Sequence, residues 1–206
     1  RGGGGAAGGG ARAGRGVLWQ GDRRGWANLC RLTTRAHTRG AKGDAWATCE
    51  ELADHAEHLI ALSADLALLP VIRGAFGRRG HAFVARHRIA GEREREQHLR
   101  AAAWRLGLGL VGGQEVLYHH PDRRRLQDAV NCIRHHTTLR HAGSILKPNH
   151  DFAIRSPQAM RALFHDDPAL LDATLDIAAE CTFRLEDLRY RYPEDSPPPR
   201  QPDHTW

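Results

Sequence analysis

Histidines are the residues of this chain whose number first suggests chemistry. There are 14 of them, and the densest group comprises the pairs His119-His120 and His135-His136, with Cys132 three residues before the second pair. Imidazole and thiolate are ligands that transition metals prefer. However, adjacent residues on a helix or a strand point to different sides, so a His-His pair supplies one ligand at most. We therefore expect these histidines in exposed loops and at helix ends.

The remaining candidate motifs each lack something that their chemistry requires. No Gly-x-Ser-x-Gly turn is present to activate a serine nucleophile. The glycines between Gly107 and Gly113 lie at the end of a predicted helix and in the strand after it. A phosphate-binding glycine loop instead lies directly before a helix, so these glycines lack the geometry that cradles a phosphate. The run Arg123-Arg124-Arg125 could contact nucleic-acid phosphates, but three arginines in a first helical turn oppose the helix dipole, and a solvated surface is the alternative. The residues alone therefore predict no self-contained catalytic constellation.

The composition is that of a globular protein with one ordinary domain or two partial ones. The 206 residues are 41% hydrophobic and 26% charged, and domains generally have about 100–200 residues. The apolar runs are far shorter than the roughly 18 residues of a membrane span, and no apolar signal-peptide region is visible. The four cysteines lie far apart, which favours reduced thiols. We therefore expect a cytoplasmic protein with no membrane partner.

Positive charge is concentrated in the N-terminal quarter of the sequence. The chain has a formal net charge of +6 and an isoelectric point near 9.7. Residues 1–47 contain nine Lys/Arg and two Asp, a net charge of +7, which leaves −1 for the rest. A basic segment invites a nucleic-acid partner. Because the bias towards arginine, alanine, glycine and proline is also what a GC-rich gene produces, codon usage is the competing explanation.

Strand and helix patterns alternate through the first 120 residues. Residues 1–16 contain only Gly, Ala and Arg and are predicted to form a disordered arm. The strand candidates are the apolar stretches 17–19, 59–62, 81–89 and 108–111. Helices are predicted after Asp22 as an N-cap, after the Thr48/Glu51 capping box, and from Glu92 to Leu106 before a Gly107 C-cap. The charges of residues 92–96 predict a solvated helix start. This alternation predicts an α/β layer with parallel strands.

Only helix patterns follow Pro121. A helix from Asp122 to His135 places Leu126, Val130 and Ile133 on one face. Ser156-Pro157 and Asp167-Pro168 each combine an N-cap with a proline at the first helical position, which predicts helices near 157–165 and 168–181. The Pro-rich end is predicted to be a disordered tail. The expected organisation is therefore an arm (1–16), an α/β domain (17–120), a helical segment (121–193) and a tail (194–206).

Successive segments of the chain resemble motifs of the bacterial C-family DNA polymerases. Residues 21–33 (G-D-R-R-G-W-A-N-L-C-R-L-T) are similar to the D-R-x-G-Y-x-N-L-C-R-L helix, residues 59–63 to the strand before the S-G-C turn, and residues 105–111 to R-L-G-L-P-L-V-A. Residues 126–139 (L-Q-D-A-V-N-C-I-R-H-H-T-T-L) resemble a stretch typical of the error-prone branch. Matches to S-P-x-x-M, L-F-x-D-D-P, I-A-x-x-C-x-F and L-R-Y-x-Y-P continue to Pro193. The resemblance is collinear over about residues 17–193.

This resemblance implies a fold and a role. Family members begin with a PHP domain, a distorted β/α barrel with a metal cleft, and continue into palm, thumb and fingers, where palm aspartates hold two Mg²⁺ ions. The chain resembles the later half of the PHP domain, a partial β/α barrel, followed by an all-helical lead-in to the palm. No His-x-His strand stands at its start and no palm aspartates follow Pro193. We therefore expect that the chain alone binds no cofactor and does not transfer nucleotides.

The PHP metal positions that the resemblance identifies are altered in this sequence. Asp65 stands where metal-binding members carry Cys after a strand, and Glu115-Val116-Leu117 stands where they carry Asp-x-His. Glu115 could still ligate a cation, whereas Leu117 has no lone pair to offer. His119 also has a histidine counterpart in members that keep the Asp-x-His, so it is not expected to substitute. We predict that no PHP metal site forms.

The resemblance thus implies part of an error-prone, translesion-type DNA polymerase that is not catalytic by itself. It would act as PHP scaffold and as entry to the polymerase core. DNA is then the expected partner of the full-length enzyme, with other polymerase or translesion subunits as further candidates. The alternative is a free-standing PHP-derived protein that binds a polymerase partner, or binds nucleic acid through the basic N-terminal arm. A PHP-type phosphoesterase is disfavoured by Leu117 and by the missing first strands.

Overall fold

The computed structural model of the protein describes residues 15–39 and 43–188. Within these residues the elements are β1 (Val17–Gln20), α1 (Arg23–Arg39), α2 (Cys49–Asp54), β2 (Leu59–Ser63), α3 (Leu69–Phe76), β3 (Gly80–Ala85), α4 (Glu92–Leu106), β4 (Gly109–Gly113), α5 (Arg124–Arg134), α6 (Pro157–Leu163) and α7 (Ala169–Glu180). The predicted α/β class is confirmed. Residues 1–14 of the predicted arm, the predicted tail and the L-R-Y-x-Y-P motif beyond Leu188 lie outside the described residues.

The four strands form one open sheet in the order β1-β2-β3-β4. Strands β2, β3 and β4 are parallel, as the sequence predicts. The prediction is wrong for β1, which pairs antiparallel with β2 so that Val17 lies opposite Leu62 and Gln20 opposite Leu59. The physical reason is the connection. One helix joins each parallel pair, whereas two helices join β1 to β2, and the additional traverse reverses the direction of β2.

The side chains of β2 alternate between two apolar clusters, and all five of its residues are buried. Leu59 and Ala61 belong to the larger cluster, together with residues of α3 and α4. Ile60 and Leu62 belong to the smaller cluster, which contains Ile177 of α7. A fully buried Leu or Ile contributes about 1.5–3 kcal/mol relative to its exposed state. Strand β2 is therefore held by apolar packing on both faces of the sheet.

Local signals placed most helix ends correctly. The side chain of Asp22 accepts hydrogen bonds from the N–H groups of Arg24 (2.9 Å) and Gly25 (3.0 Å), and the Thr48/Glu51 capping box forms at α2. Gly107 ends α4 with φ +63°. Ser156 caps α6 by accepting from the Ala159 N–H.

Two boundaries and one whole helix differ from the prediction. Strand β3 ends at Ala85 instead of residue 89, because Arg88 has φ +54° and its N–H donates to Glu92 instead of to a neighbouring strand. Helix α3 has no capping side chain, and the sequence did not predict it. Helix α7 begins after Pro168, since Asp167 forms an ion pair with Arg100 (2.8 Å) instead of capping the helix.

The C-terminal third is not all helical, contrary to the prediction. Residues 135–156 form a loop with one 3₁₀ turn, Gly143–Ile145. Two backbone hydrogen bonds tie this loop to the segment after β4: Leu117 N–H donates to Phe152 (2.8 Å), and Ile154 N–H donates to Tyr118 (3.1 Å). These contacts join residues about 35 positions apart, so helical periodicity could not reveal them.

No helix in the described part of the chain is long and apolar enough to cross a membrane.

Candidate functional site

The carboxyl ends of β2, β3 and β4 lie at one edge of the sheet because these strands are parallel. In open α/β sheets this edge is where ligands generally bind. The residues that follow the three strands include Asp65 after β2, Arg86 after β3 and Glu115 after β4. This carboxyl edge therefore contains the positions that the sequence identified as altered metal ligands.

Arg86 is the centre of an ion-pair cluster at the carboxyl edge. Its Nε and Nη2 donate to the carboxylate of Glu96 on α4 (2.9 and 2.8 Å), and its Nη1 and Nη2 donate to Asp166 (2.5 and 3.0 Å). Nη1 also donates to the Leu163 carbonyl (3.0 Å), and the guanidinium lies 4.6 Å from the Phe164 ring centroid. Planar bidentate pairing of this kind is the strongest that arginine makes.

The charges of this cluster shift one another's pKa values. The hydrogen bond from Arg86 lowers the pKa of Asp166 to about 2. Burial alone would raise the pKa of Glu96, but the hydrogen bonds from Arg86 and Arg100 lower it below its usual value. The same hydrogen bonds with Glu96 and Asp166 raise the pKa of Arg86. All three groups are therefore charged at neutral pH, and the arginine is held by two carboxylates.

His87 fills the space next to Arg86. Its ring is buried and stacks on Phe152 with a centroid separation of 4.2 Å. Burial lowers the pKa of His87, so the ring is neutral at physiological pH. The Glu115 N–H donates to its Nε2 (2.9 Å), and the His87 N–H donates to Glu92 (2.6 Å). An imidazole nitrogen that could have bound a metal is thus used for backbone hydrogen bonding.

Arg88 makes the second ion-pair cluster at this edge. It donates in a bidentate manner to Asp151 (2.6 and 2.5 Å), and the same carboxylate lies 2.7 Å from Arg155. The hydrogen bond from Arg88 lowers the pKa of Asp151, which is buried. This cluster fixes the loop 135–156 against the end of β3.

Glu115 is occupied by a cation from the chain itself. Its Oε2 accepts a hydrogen bond from Lys147 Nζ (2.7 Å), and that ammonium group lies 4.5 Å from the ring centroid of Phe152. Leu117 packs against the small apolar cluster that contains Phe152. The Asp65 carboxylate accepts from the Ala67 N–H (3.0 Å) and stabilises the turn after β2. These three positions therefore take part in local structure.

The donor sets at this edge do not fit a metal ion. Across residues 15–39 and 43–188, no group of three or more His, Cys, Asp or Glu side chains is placed to hold one. The two carboxylates of the Arg86 cluster and the carboxylate of Asp151 already face guanidinium groups.

The three candidate phosphate-binding arginines do not act as a unit. Arg123 and Arg125 are exposed. Arg124 is half-buried: its Nη2 donates to the Lys147 carbonyl (2.8 Å), and its Nε lies 3.6 Å from Asp128. Two of the three arginines are therefore accessible to a ligand, and the third supports the fold.

The other candidates from the sequence are dispersed. His119, His120, His135 and His136 are exposed, and Cys132 is buried on α5. The apolar face of α5 forms as predicted, but it is open to solvent: the exposed fractions are 58% for Leu126, 49% for Val130 and 74% for Ile133.

The ion-pair clusters join residues that are far apart in the sequence and were not predicted. Arg86 and Asp166 are 80 positions apart, and Arg88 and Asp151 are 63 apart. The interpretation of residues 92–96 as a solvated helix start holds for Arg93, Glu94 and Arg95, which are exposed in the first turn of α4. It is wrong for the two flanking glutamates: Glu92 accepts from the N–H groups of His87 and Arg88, and Glu96 binds Arg86. One signal could have suggested that these glutamates face the protein: Glu92 and Glu96 are at i and i+4 and therefore lie on the same face of α4.

Comparison with known proteins identifies the relatives of this chain. No family model matches it. It is 39% identical over 192 residues to an error-prone DNA polymerase of Anaeromyxobacter dehalogenans, and this alignment covers 86% of the chain. The resemblance to error-prone DNA polymerases is confirmed. The proteins of that name from Brucella abortus and Caulobacter vibrioides are 36% and 32% identical, over 89% and 86% of the chain.

The aligned region is a small part of each error-prone DNA polymerase. The chain spans about 17% of the length of the Anaeromyxobacter and Caulobacter relatives and 18% of the Brucella relative. The sequence motifs that suggested the resemblance and the long alignments therefore point to the same relatives, and the chain corresponds to a small part of each.

Proposed function

We propose that this chain is the PHP-derived scaffold segment of an error-prone, translesion-type DNA polymerase and that it has no catalytic activity of its own. The observation that carries the scaffold role is the filled carboxyl edge: Arg86, Arg88 and Lys147 bind the carboxylates that a cation would need. The parallel strands β2, β3 and β4 with helical connections suit part of a β/α barrel. The segment from α5 onwards would then lead into the palm.

In this proposal the ion-pair clusters perform the function by positioning. Arg86 joins the end of β3 to α4 and to the turn between α6 and α7. Arg88 joins the same strand end to the loop 135–156. The elements that lead into the polymerase body are thus held at a fixed place on the sheet. DNA is the substrate, the setting is the cytoplasm, and Mg²⁺ would be supplied at aspartates of the whole polymerase, which these residues do not replace.

A free-standing binding protein is the second candidate. The exposed apolar face of α5 favours it, because a contiguous apolar surface that is open to water often marks a protein-binding site. In that case the chain would bind a polymerase partner, or nucleic acid, without being part of a longer enzyme.

A chimeric polymerase tests the proposed function. Residues 17–188 replace the matching segment of the Anaeromyxobacter dehalogenans polymerase, and primer extension is measured. We expect the chimera to extend primers, and we expect Glu115→Ala in the chimera to leave the rate within about two-fold. Arg86→Met should lower the rate at least ten-fold, since it releases both carboxylates that hold α4 and the α6–α7 turn. The full 206-residue chain alone should extend no primer.

Three outcomes would contradict the proposal. Primer extension by the chain alone would overturn the non-catalytic role. The second outcome is a chimera that extends primers but loses this activity with Glu115→Ala and keeps it with Arg86→Met. Glu115 would then be a functional ligand, and the ion-pair clusters would be dispensable. An inactive chimera together with stable binding of the chain to the remainder of the relative would favour the free-standing binding protein.

A further inference from the structure

The outer face of α1 carries a row of arginines. The helix contains five arginines and no acidic residue, and all five are exposed. Arg24, Arg31 and Arg35 lie within about 40° of one another around the helix axis, because intervals of seven and eleven residues are close to two and three turns. They extend over about 16 Å along the axis at 1.5 Å per residue. We call these three residues the α1 arginine row.

The described part of the chain does not neutralise this row. Arg39, at the end of the helix, pairs with Glu51, but no ion pair to Arg24, Arg31 or Arg35 forms within the described residues. Arg31 donates to the neutral Asn28 side chain (3.2 Å). The Asp22 carboxylate is engaged by the N–H groups at the start of α1 and by His58 Nδ1 (2.7 Å). The row therefore presents positive charge to solvent.

The start of α1 carries charges of both signs. Its first turn contains Arg23 and Arg24, and the N-cap residue Asp22 places a carboxylate on the N–H groups of Arg24 and Gly25. That carboxylate already complements the helix macrodipole. The attraction of the row for an anion therefore rests on its arginine side chains and not on the helix terminus.

The helix that carries the row is held rigidly. Leu32 is buried in the larger apolar cluster, and Gly25 lies directly against the His58 carbonyl. Rigid presentation lowers the conformational entropy that a binding surface loses. The backbone positions of the row are therefore fixed before a ligand binds.

We propose that the α1 arginine row binds the phosphate backbone of DNA without reading the base sequence. Each DNA strand carries one phosphate per about 3.4 Å of helix axis, so a row laid parallel to that axis would span about five of them. Arginine forks match phosphate oxygens. Asn28, the amide within the row, donates to the Glu57 carbonyl (2.9 Å) and is thus used inside the protein instead of for base recognition. The choice of DNA rests on the proposed function.

Fluorescence anisotropy with the full chain and a labelled duplex of about 20 bp tests this inference over about 50–200 mM salt. The test variant is Arg24→Ala/Arg31→Ala/Arg35→Ala. The matched control is Arg93→Ala/Arg105→Ala/Arg161→Ala, which removes the same charge from exposed positions on α4 and α6. Both variants keep residues 1–14, so any contribution of that segment is common to them. Circular dichroism verifies that each variant is folded.

We expect the test variant to lose at least about ten-fold in affinity at low salt, and its slope of log K against log salt to shrink by about 2.7, which corresponds to three phosphate contacts. The control should stay within about two-fold of the unchanged chain. Equal losses in both variants would mean that net charge alone drives binding, and would overturn the assignment to α1. Complete displacement of the duplex by polyglutamate at equal charge would also overturn it and would favour an acidic protein partner.

The two proposals fail separately. If the chimera extends primers but DNA affinity does not depend on the α1 arginine row, the row has another role and the scaffold function stands. If the row binds DNA while the chimera tolerates Arg86→Met, the scaffold function is wrong and the DNA-binding surface stands.

Discussion

At the scale of single residues, Gly25 determines how closely α1 approaches the sheet. A Cβ built at this position would lie 2.2 Å from the His58 carbonyl oxygen. His58 itself has φ +61°, which turns that carbonyl towards α1. Gly25, the second glycine of the family-like G-D-R-R-G-W segment, is thus explained by close packing of two backbones and not by catalysis.

Gly25→Ala should lower the free energy of unfolding by about 1–3 kcal/mol, because backbone atoms must move to admit the methyl group. Urea unfolding followed by circular dichroism measures this change. Gly74→Ala is the matched control: no atom lies within 4 Å of a Cβ there, and the residue is inside α3. This control should raise the free energy of unfolding by about 0.5–1 kcal/mol. Equal effects at the two positions would contradict the packing argument.

At the scale of elements, α5 shows that periodicity predicts a helix face but not its partner. Leu126, Val130 and Ile133 share a face as expected, yet they are exposed, and the buried residue of this helix is Cys132. Helical spacing depends on the backbone repeat, whereas burial depends on which element happens to lie opposite. The apolar face is therefore available for association.

Leu126→Ser/Ile133→Ser should reduce self-association of the chain, as measured by sedimentation velocity, because it removes exposed apolar surface. Its free energy of unfolding should change by no more than about 1 kcal/mol, since surface substitutions away from packed sites have small effects. Leu170→Ser is the contrasting control: Leu170 is 2% exposed, and its truncation should cost about 2–5 kcal/mol. If Leu126→Ser/Ile133→Ser were as destabilising as Leu170→Ser, the α5 face would be part of the core.

At the scale of the whole molecule, the Arg86 cluster links parts of the chain that are far apart in sequence. It connects the end of β3, α4 and the α6–α7 turn through Glu96, Asp166 and the Leu163 carbonyl. Phe164 and Leu170, which flank this turn, belong to the larger apolar cluster. The sheet and the C-terminal helices are therefore joined by an ionic contact and an apolar contact at the same place.

This linkage predicts sensitivity to acid. Asp166 has its pKa lowered from 3.8 to about 2, so the unfolded chain takes up a proton at a higher pH than the folded chain does. The stabilisation by the pair is complete above the unfolded value and is lost as pH falls from about 4 towards about 2. The lowered pKa of Glu96 acts in the same direction.

Urea unfolding at about pH 6, 4 and 3 measures this loss. Arg86→Met should flatten the dependence of stability on pH below about 4, because it removes the cation that lowers both pKa values. Arg93→Met, at an exposed position on α4, should retain the dependence of the unchanged chain. A steep acid loss that survives Arg86→Met would assign the effect to other carboxylates.

The sequence by itself determined what depends on short intervals of chain. Turn and cap residues such as Asp22, Thr48, Gly107 and Ser156 act within about four positions, so they could be interpreted locally and were confirmed. Collinear motifs likewise indicated the polymerase relatives. At the carboxyl edge, the sequence indicated only that Asp65 and Glu115 follow strands. It did not indicate which side chains contact them.

The tertiary structure alone decided the strand direction of β1 and the occupants of the carboxyl edge. Arg86 meets Asp166, and Arg88 meets Asp151, across 63 to 80 positions. Lys147 reaches Glu115 from a loop between two predicted helices, inside the segment that was expected to be all helical. No local pattern encodes such pairs, because the partners are brought together only when strands, helices and loop have packed. The same charged residues could have formed a solvated surface or an open site, and the packing made them internal ion pairs.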